Sequence, residues 1–199
     1  MNDIFISEVV ATRLSHDLIG NIGAVANAVE LLNEDDDDDK EDVYHILNFS
    51  SNVLSKRLKF FRLCFGLSNA SVKNIEELKT VTEDYLGTLG NPNTPITFKM
   101  EIDTPQIYKL VMPAVMMMAD TLVKGGEIQV IQKEHGIHIT AVSDVPLNQS
   151  KLKNIDLVTQ GRKAEENPST YAPLYYLMQY LEGNDVPVKR AENTLIVGE

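Results

Sequence analysis

The chain has one cysteine, Cys64, no excess of basic residues and no long apolar run. A lone cysteine cannot close an internal disulfide, which suits a reducing compartment. Lys and Arg total 18 against 29 Asp and Glu, a net charge of -11. That balance argues against nucleic acid, whose phosphates call for a basic surface. It suits either a protein partner with a basic patch or plain solubility. No stretch approaches the roughly 20 apolar residues that a membrane-spanning helix requires. The opening MNDIFISEVV is acidic and lacks the basic flank and apolar core of a signal peptide. Together these absences predict a cytoplasmic chain. Apolar content of 43% in 199 residues is enough for a sizeable core in one large domain or two small ones.

Periodicity organises the first third. Apolar residues recur at Ile6, Val10, Leu14, Leu18, Ile22, Val25, Val29 and Leu32, in steps of three and four. This spacing predicts one long amphipathic helix. The acidic run Glu34 to Asp39 and Lys40 reads as a solvated loop whose last aspartates cap the next helix. A second run, Val43, Leu47, Ser50, Leu54, Leu58, Phe61 and Phe65, ends at Gly66. Two such helices joined by a short polar loop predict an antiparallel hairpin. Its stripe is too long to hide alone, so two copies packed as a dimeric four-helix bundle are expected.

Beyond Gly66 the pattern becomes mixed. A helix is expected over 71–89, a strand over Ile96 to Met100, and a buried helix from Ile107 to Val123, with Pro113 marking a kink or its first turn. Strands follow at Glu127 to Lys133 and Gly136 to Ser143, then a helix over 170–182 and a short strand from Thr194 to Val197. Helices interleaved with a largely antiparallel sheet predict an α+β fold, divided into a hairpin domain (1–68) and a second domain (69–199). No internal repeat is evident.

The chemistry concentrates in Leu14 to Gly23, LSHDLIGNIG. His16 lies two residues from both Leu14 and Leu18, about 200° around the helix from each, so its imidazole faces away from the local apolar stripe. An unperturbed histidine, with pKa near 6.5, supplies a neutral nucleophilic ring at about pH 7. Asp17 either orients that ring and handles its proton or is a plain surface acid. With the loop centred near Asp37, residues whose numbers sum to about 74 lie level across the hairpin. Arg57 and Leu58 then sit beside His16, and Leu54 beside Gly20. Arg13 and Arg57 are candidate cations for an incoming phosphoryl group, with ordinary helix-surface cations as the alternative. Gly20 and Gly23 each weaken a helix by about 0.8–1.0 kcal/mol relative to alanine. Either they admit a partner helix below His16 or they allow close packing within the bundle. His45, His135 and His138 form no metal-ligand set with Cys64, and the methionines from Met112 to Met118 read as core filling.

These motifs carry a family resemblance. SHDLIGNIGAV (15–25) together with RLKFFRLCFG (57–66) resembles the ChpT-type histidine phosphotransferases, relatives of the sensor histidine kinase core. Sensor kinases place a proline five residues after the histidine; Asn21 stands there instead. The segment Met116 to Val130 resembles the kinase helix and strand of the ATP site, with Met117 or Met118 where the magnesium-binding asparagine belongs. Asp144 falls near a second ATP-site motif that lacks its glycines, and no Gly-x-Gly occurs in the chain. Cradling a triphosphate needs glycine-backed approach and metal ligands, so a degenerate ATPase-like (Bergerat-type) α/β sandwich without a functional ATP site is expected.

The resemblance implies a phosphorelay protein. His16 would take a phosphoryl group on Nε2 from the receiver aspartate of a hybrid kinase and pass it to response regulators of the cell cycle. Asp17, Arg13 and Arg57 would assist, and Ile19, Gly20, Gly23, Asn27 and Leu54 would bind the receivers. No cofactor is expected on this chain; Mg2+ belongs to the partner receiver. The rival readings are an ATP-dependent histidine kinase and a non-catalytic dimeric adaptor.

Overall fold

The computed structural model describes residues 2–32, 40–66, 72–184 and 186–198. The expected acidic loop and capping aspartates at 35–39, and the domain boundary at 68/69, lie outside the described residues. Helices α1 (Asp3–Leu32) and α2 (Lys40–Phe65) pack along one another as the hairpin that the two periodic runs predict. Helix α2 stops where Gly66 begins, as read from the sequence.

The remainder builds α3 (Ile75–Gly87), β1 (Ile96–Glu101), α4 (Tyr108–Ala119), β2 (Gly126–Lys133), β3 (Gly136–Val142), α5 (Gln149–Thr159), α6 (Ala172–Tyr180), β4 (Val188–Ala191) and β5 (Thr194–Val197). Short 3-10 turns at Pro105–Ile107 and Pro168–Tyr171 lead into α4 and α6. The sheet runs β1-β2-β3-β5-β4. Only β1 and β2 are parallel, joined by the α4 crossover; the other neighbours are antiparallel. Residues alternate along the strands: Ile137, Ile139, Ala141, Leu195 and Val197 are buried, while His138, Thr140 and Ile196 between them are only half-buried. The helices therefore cover one face of the sheet.

Helix α4 is the spine of this layer. It lies between β2, β3 and β5 on one side and α2 and α6 on the other. Every residue in it except Leu110 is buried, including Lys109, whose Nζ donates to the carbonyls of Cys64 and Gly66. Met112, Met116, Met117 and Met118 are fully enclosed, so the reading of them as core filling holds.

Several boundaries differ from the sequence expectation. Helix α3 starts only at Ile75, because the Asn74 carboxamide accepts from the Glu77 amide at 2.8 Å and caps it. Pro113 lies inside α4 and not in its first turn. That helix ends at Ala119, short of Val123. The chain must then turn into β2 through Gly125 and Gly126, which both adopt positive φ (68° and 141°). A Cβ on Gly125 would lie 2.5 Å from the Pro95 carbonyl oxygen, so only glycine fits. The helix expected over 170–182 begins as a 3-10 turn. Helix α5 and strand β4 were not foreseen. Both are short, and α5 announces itself only by Asn148, whose side chain caps the Lys151 amide at 3.0 Å.

Aromatic contacts fasten the hairpin to the α/β body. Phe60 stacks on Tyr85 with centroids 3.9 Å apart, Phe65 meets Tyr176 edge-on at 5.1 Å, and Phe5 meets Tyr175 at 5.2 Å. One continuous hydrophobic core, including Ile6, Val9, Phe60 and Leu63, joins the two parts.

Candidate functional site

The joint between α1 and the α/β body opens into a cleft of about 310 Å³. Helix α1 contributes Arg13, His16 and Asp17; the body contributes Leu89, Asp120, Lys151 and the 167–170 segment. His16 stands at its edge with 83% of its side chain exposed, as its helical position predicts. Its Nδ1 lies 3.2 Å from Asp17 Oδ1. Between a carboxylate and a neutral ring that contact requires the proton on Nδ1 and leaves the ring's lone pair on Nε2.

Asp17 is held on all sides. Its Oδ2 accepts from Arg13 Nε at 2.7 Å, and its backbone carbonyl accepts from Arg57 Nη1. Arg57 also donates from Nε and Nη2 to the hydroxyl and carbonyl of Thr88, each at 3.0 Å. The register sum of 74 therefore brings Arg57 level with Asp17, one residue from the expected partner. Arg13 is 8% exposed and reaches the body: Nη1 and Nη2 clasp the Asp120 carboxylate at 2.6 and 3.1 Å, and Nη1 also donates to the Thr170 carbonyl at 3.1 Å. Burial works against this guanidinium's charge, but attraction and hydrogen bonding to Asp120, helped by Tyr85 and Asp17, hold its pKa above the ordinary value.

Arg13 and Arg57, the two candidate cations beside His16, are thus both brought to the site. Both guanidiniums are engaged by protein partners, because the folded body supplies acceptors that a helix considered alone does not have. Below them Tyr85 is fully buried, and its hydroxyl has no hydrogen-bond partner. Burial pushes that phenol well up, against the lowering effect of Arg13. The floor of the network is therefore poorly hydrated, which strengthens the ion pairs above it.

The expected partner-binding residues line α1 and α2 next to His16. Ile19 is 65% exposed, Gly20 and Asn27 are exposed, and Gly23 and Leu54 are half-buried. A Cβ on Gly20 or Gly23 would meet no atom within 4 Å. Close packing among the described residues does not explain the glycines.

Elsewhere, Met117 and Met118 are fully buried in the core, and Asp144 is exposed on the loop after β3. Burial raises the Cys64 thiol well above its ordinary pKa, against the influence of Lys109, which leaves it inert. Among the described residues no group of three or more His, Cys, Asp or Glu side chains is placed to hold a metal ion, and no helix is long and apolar enough to cross a membrane. Asp120, Lys151, Thr88 and Thr170 escaped the sequence reading. Asp120 left one faint trace, an acid closing an otherwise apolar helix.

The site thus consists of an exposed histidine on a long helical hairpin that is backed by an α/β body. No family model matches the chain. Over 78 residues it is 32% identical to the protein phosphotransferase ChpT of Brucella abortus (strain 2308), a match covering 38% of this chain and 36% of that protein. The matched part thus spans about a third of that relative's length. A solved bacterial phosphotransferase superposes with a TM-score of 0.75, covering 100% of this chain and 98% of its own at 20% identity, a likeness of fold. The resemblance to ChpT is therefore carried by a segment of sequence, and the likeness to the solved bacterial phosphotransferase by the whole fold.

Proposed function

We propose that the chain is a histidine phosphotransferase in a two-component phosphorelay, with His16 as the carrier. Nε2 attacks the phosphorus of a receiver domain's aspartyl phosphate. The Nε2–P bond forms, the P–O bond to the aspartate breaks, and the receiver carboxylate leaves. The ring then holds Nδ1–H and gains positive character, which the Asp17 carboxylate offsets. Reversal onto a second receiver's aspartate delivers the group to a response regulator. Such transfer depends mainly on alignment and charge, and the receiver brings its own Mg2+. The observation that carries the proposal is the exposed His16 ring whose Nδ1 faces a clamped Asp17, so that Nε2 is the nitrogen left for the phosphoryl group.

Receivers would dock along Ile19, Gly20, Gly23, Asn27 and Leu54, where none of the described residues covers the glycines. The exposed apolar residues of the hairpin, among them Ile22 and Tyr44, support its pairing with a second copy as a homodimeric four-helix bundle. Residues 69–199 would be a degenerate ATPase-like domain that holds no ATP, consistent with the enclosed Met117 and Met118. A cytoplasmic setting and regulators of the cell cycle follow from the resemblance.

Incubation with a receiver domain carrying a 32P-labelled aspartyl phosphate tests the proposal. Wild-type protein should take up acid-labile, base-stable label, and His16→Gln should take up none. An unlabelled wild type would favour the adaptor reading. Label from ATP and Mg2+ alone would favour the kinase.

A further inference from the structure

A chain of hydrogen bonds leads away from His16 and across the joint between hairpin and body. His16 Nδ1 meets Asp17 Oδ1 at 3.2 Å, and Asp17 Oδ2 meets Arg13 Nε at 2.7 Å. Arg13 in turn clasps both oxygens of Asp120, 107 residues away in sequence. Asp120 is the C-cap of α4, and its carbonyl accepts from Lys151 Nζ at 2.6 Å, so its backbone is tied to the rigid body. Arg13 uses four of the five guanidinium N–H donors in this arrangement. The side chains of Arg13 and Asp120 are 10% and 13% exposed, so water competes little for them.

We propose that Asp120 and Arg13 are positioning residues through which the α/β body sets which nitrogen of His16 carries the proton. The inference rests on the proposed role of His16 as phosphoryl carrier. A neutral imidazole in water populates both tautomers, and only Nδ1–H leaves a lone pair on Nε2. Asp17 enforces Nδ1–H only while its Oδ1 is aimed at the ring. Two oxygens on one carbon turn together, so Arg13 on Oδ2 fixes the aim of Oδ1. Arg13 keeps its own orientation because Asp120 grips both terminal nitrogens, which is a geometry that lysine cannot copy. The α/β body thus takes part in the transfer site without touching the phosphoryl group.

The test is 15N NMR of histidine-labelled protein in alkaline solution, with the His16 signals identified by their loss in His16→Gln. Wild type should show His16 protonated on Nδ1. Asp120→Asn and Arg13→Lys should each move the ring toward a mixed population and slow uptake from a phosphorylated receiver by roughly 10- to 100-fold. Asp120→Glu should recover part of both. A wild-type ring protonated on Nε2 overturns the inference by itself, even where a variant does not fold. So does a folded Asp120→Asn or Arg13→Lys whose ring is unchanged. The tautomer is read without any phosphoryl donor. Failure of transfer in wild type would sink the phosphotransferase reading while leaving this measurement intact.

Discussion

The two halves of the helical hairpin have similar sequence patterns and opposite surroundings. Near the chain's α/β body, Ile6, Val9, Phe60, Phe61, Leu63 and Cys64 are all buried, and Phe60 and Cys64 are fully sealed. Toward the hairpin tip, Ile19, Ile22, Leu31, Tyr44, Ile46 and Phe49 are at least 40% exposed. An apolar period tells that a face wants burial, but not which molecule buries it. At the base the body provides the cover. At the tip the described residues provide none, which is why dimer and receiver contacts are proposed there. His16 sits at the border between the two halves, where one side of α1 is anchored and the other is open.

The largest effect should follow from loosening the docked half. Phe60→Ala removes a ring stacked on Tyr85 and edge-on to Phe61, and should cost about 3–5 kcal/mol in urea unfolding. A loss below about 1 kcal/mol would mean that the hairpin base is not held by this core.

The mirror experiment is Ile22→Asp in the exposed half. Ile22 is 49% exposed, so the folding free energy of the single chain should change by no more than about 0.5 kcal/mol. Self-association measured by sedimentation equilibrium should weaken at least about tenfold, equivalent to about 1.4 kcal/mol. Equal association by wild type and variant would remove the tip from the dimer interface.

The smallest effect divides stability from function. Gly20→Ala and Gly23→Ala place a methyl group where no atom lies within 4 Å, so each should stabilise α1, by up to about 0.8–1.0 kcal/mol in a thermal melt. Both should nevertheless slow receiver-to-His16 transfer, because the added methyl groups stand in the proposed docking surface. Stabilisation with unchanged transfer would move the receiver contact elsewhere on the hairpin.

How much could be read beforehand follows from the range of each interaction. The hairpin, the exposure of His16 and the pairing level of Arg57 are consequences of helical pitch over neighbouring turns. Strands β1, β2, β3 and β5 declared themselves by alternation and by turn residues such as Gly125-Gly126. Helix α5 and strand β4 did not, since each buries a short face against elements distant in sequence. The guanidinium of Arg13 was read as an ordinary helix cation or a phosphoryl ligand, for nothing within a few residues predicts a carboxylate waiting on another element.

The sequence by itself determined a long amphipathic hairpin, a mixed α/β body and an outward histidine beside an acid, because periodicity and composition act locally along the chain. Only the tertiary structure decided that Arg57 turns inward to the Asp17 carbonyl, and that Asp120 reaches across to hold Arg13. Those pairings join residues as many as 107 positions apart. They exist because packing α1 against the 168–171 turn and α6 brings opposite charges together in a poorly hydrated joint, where each would be costly alone.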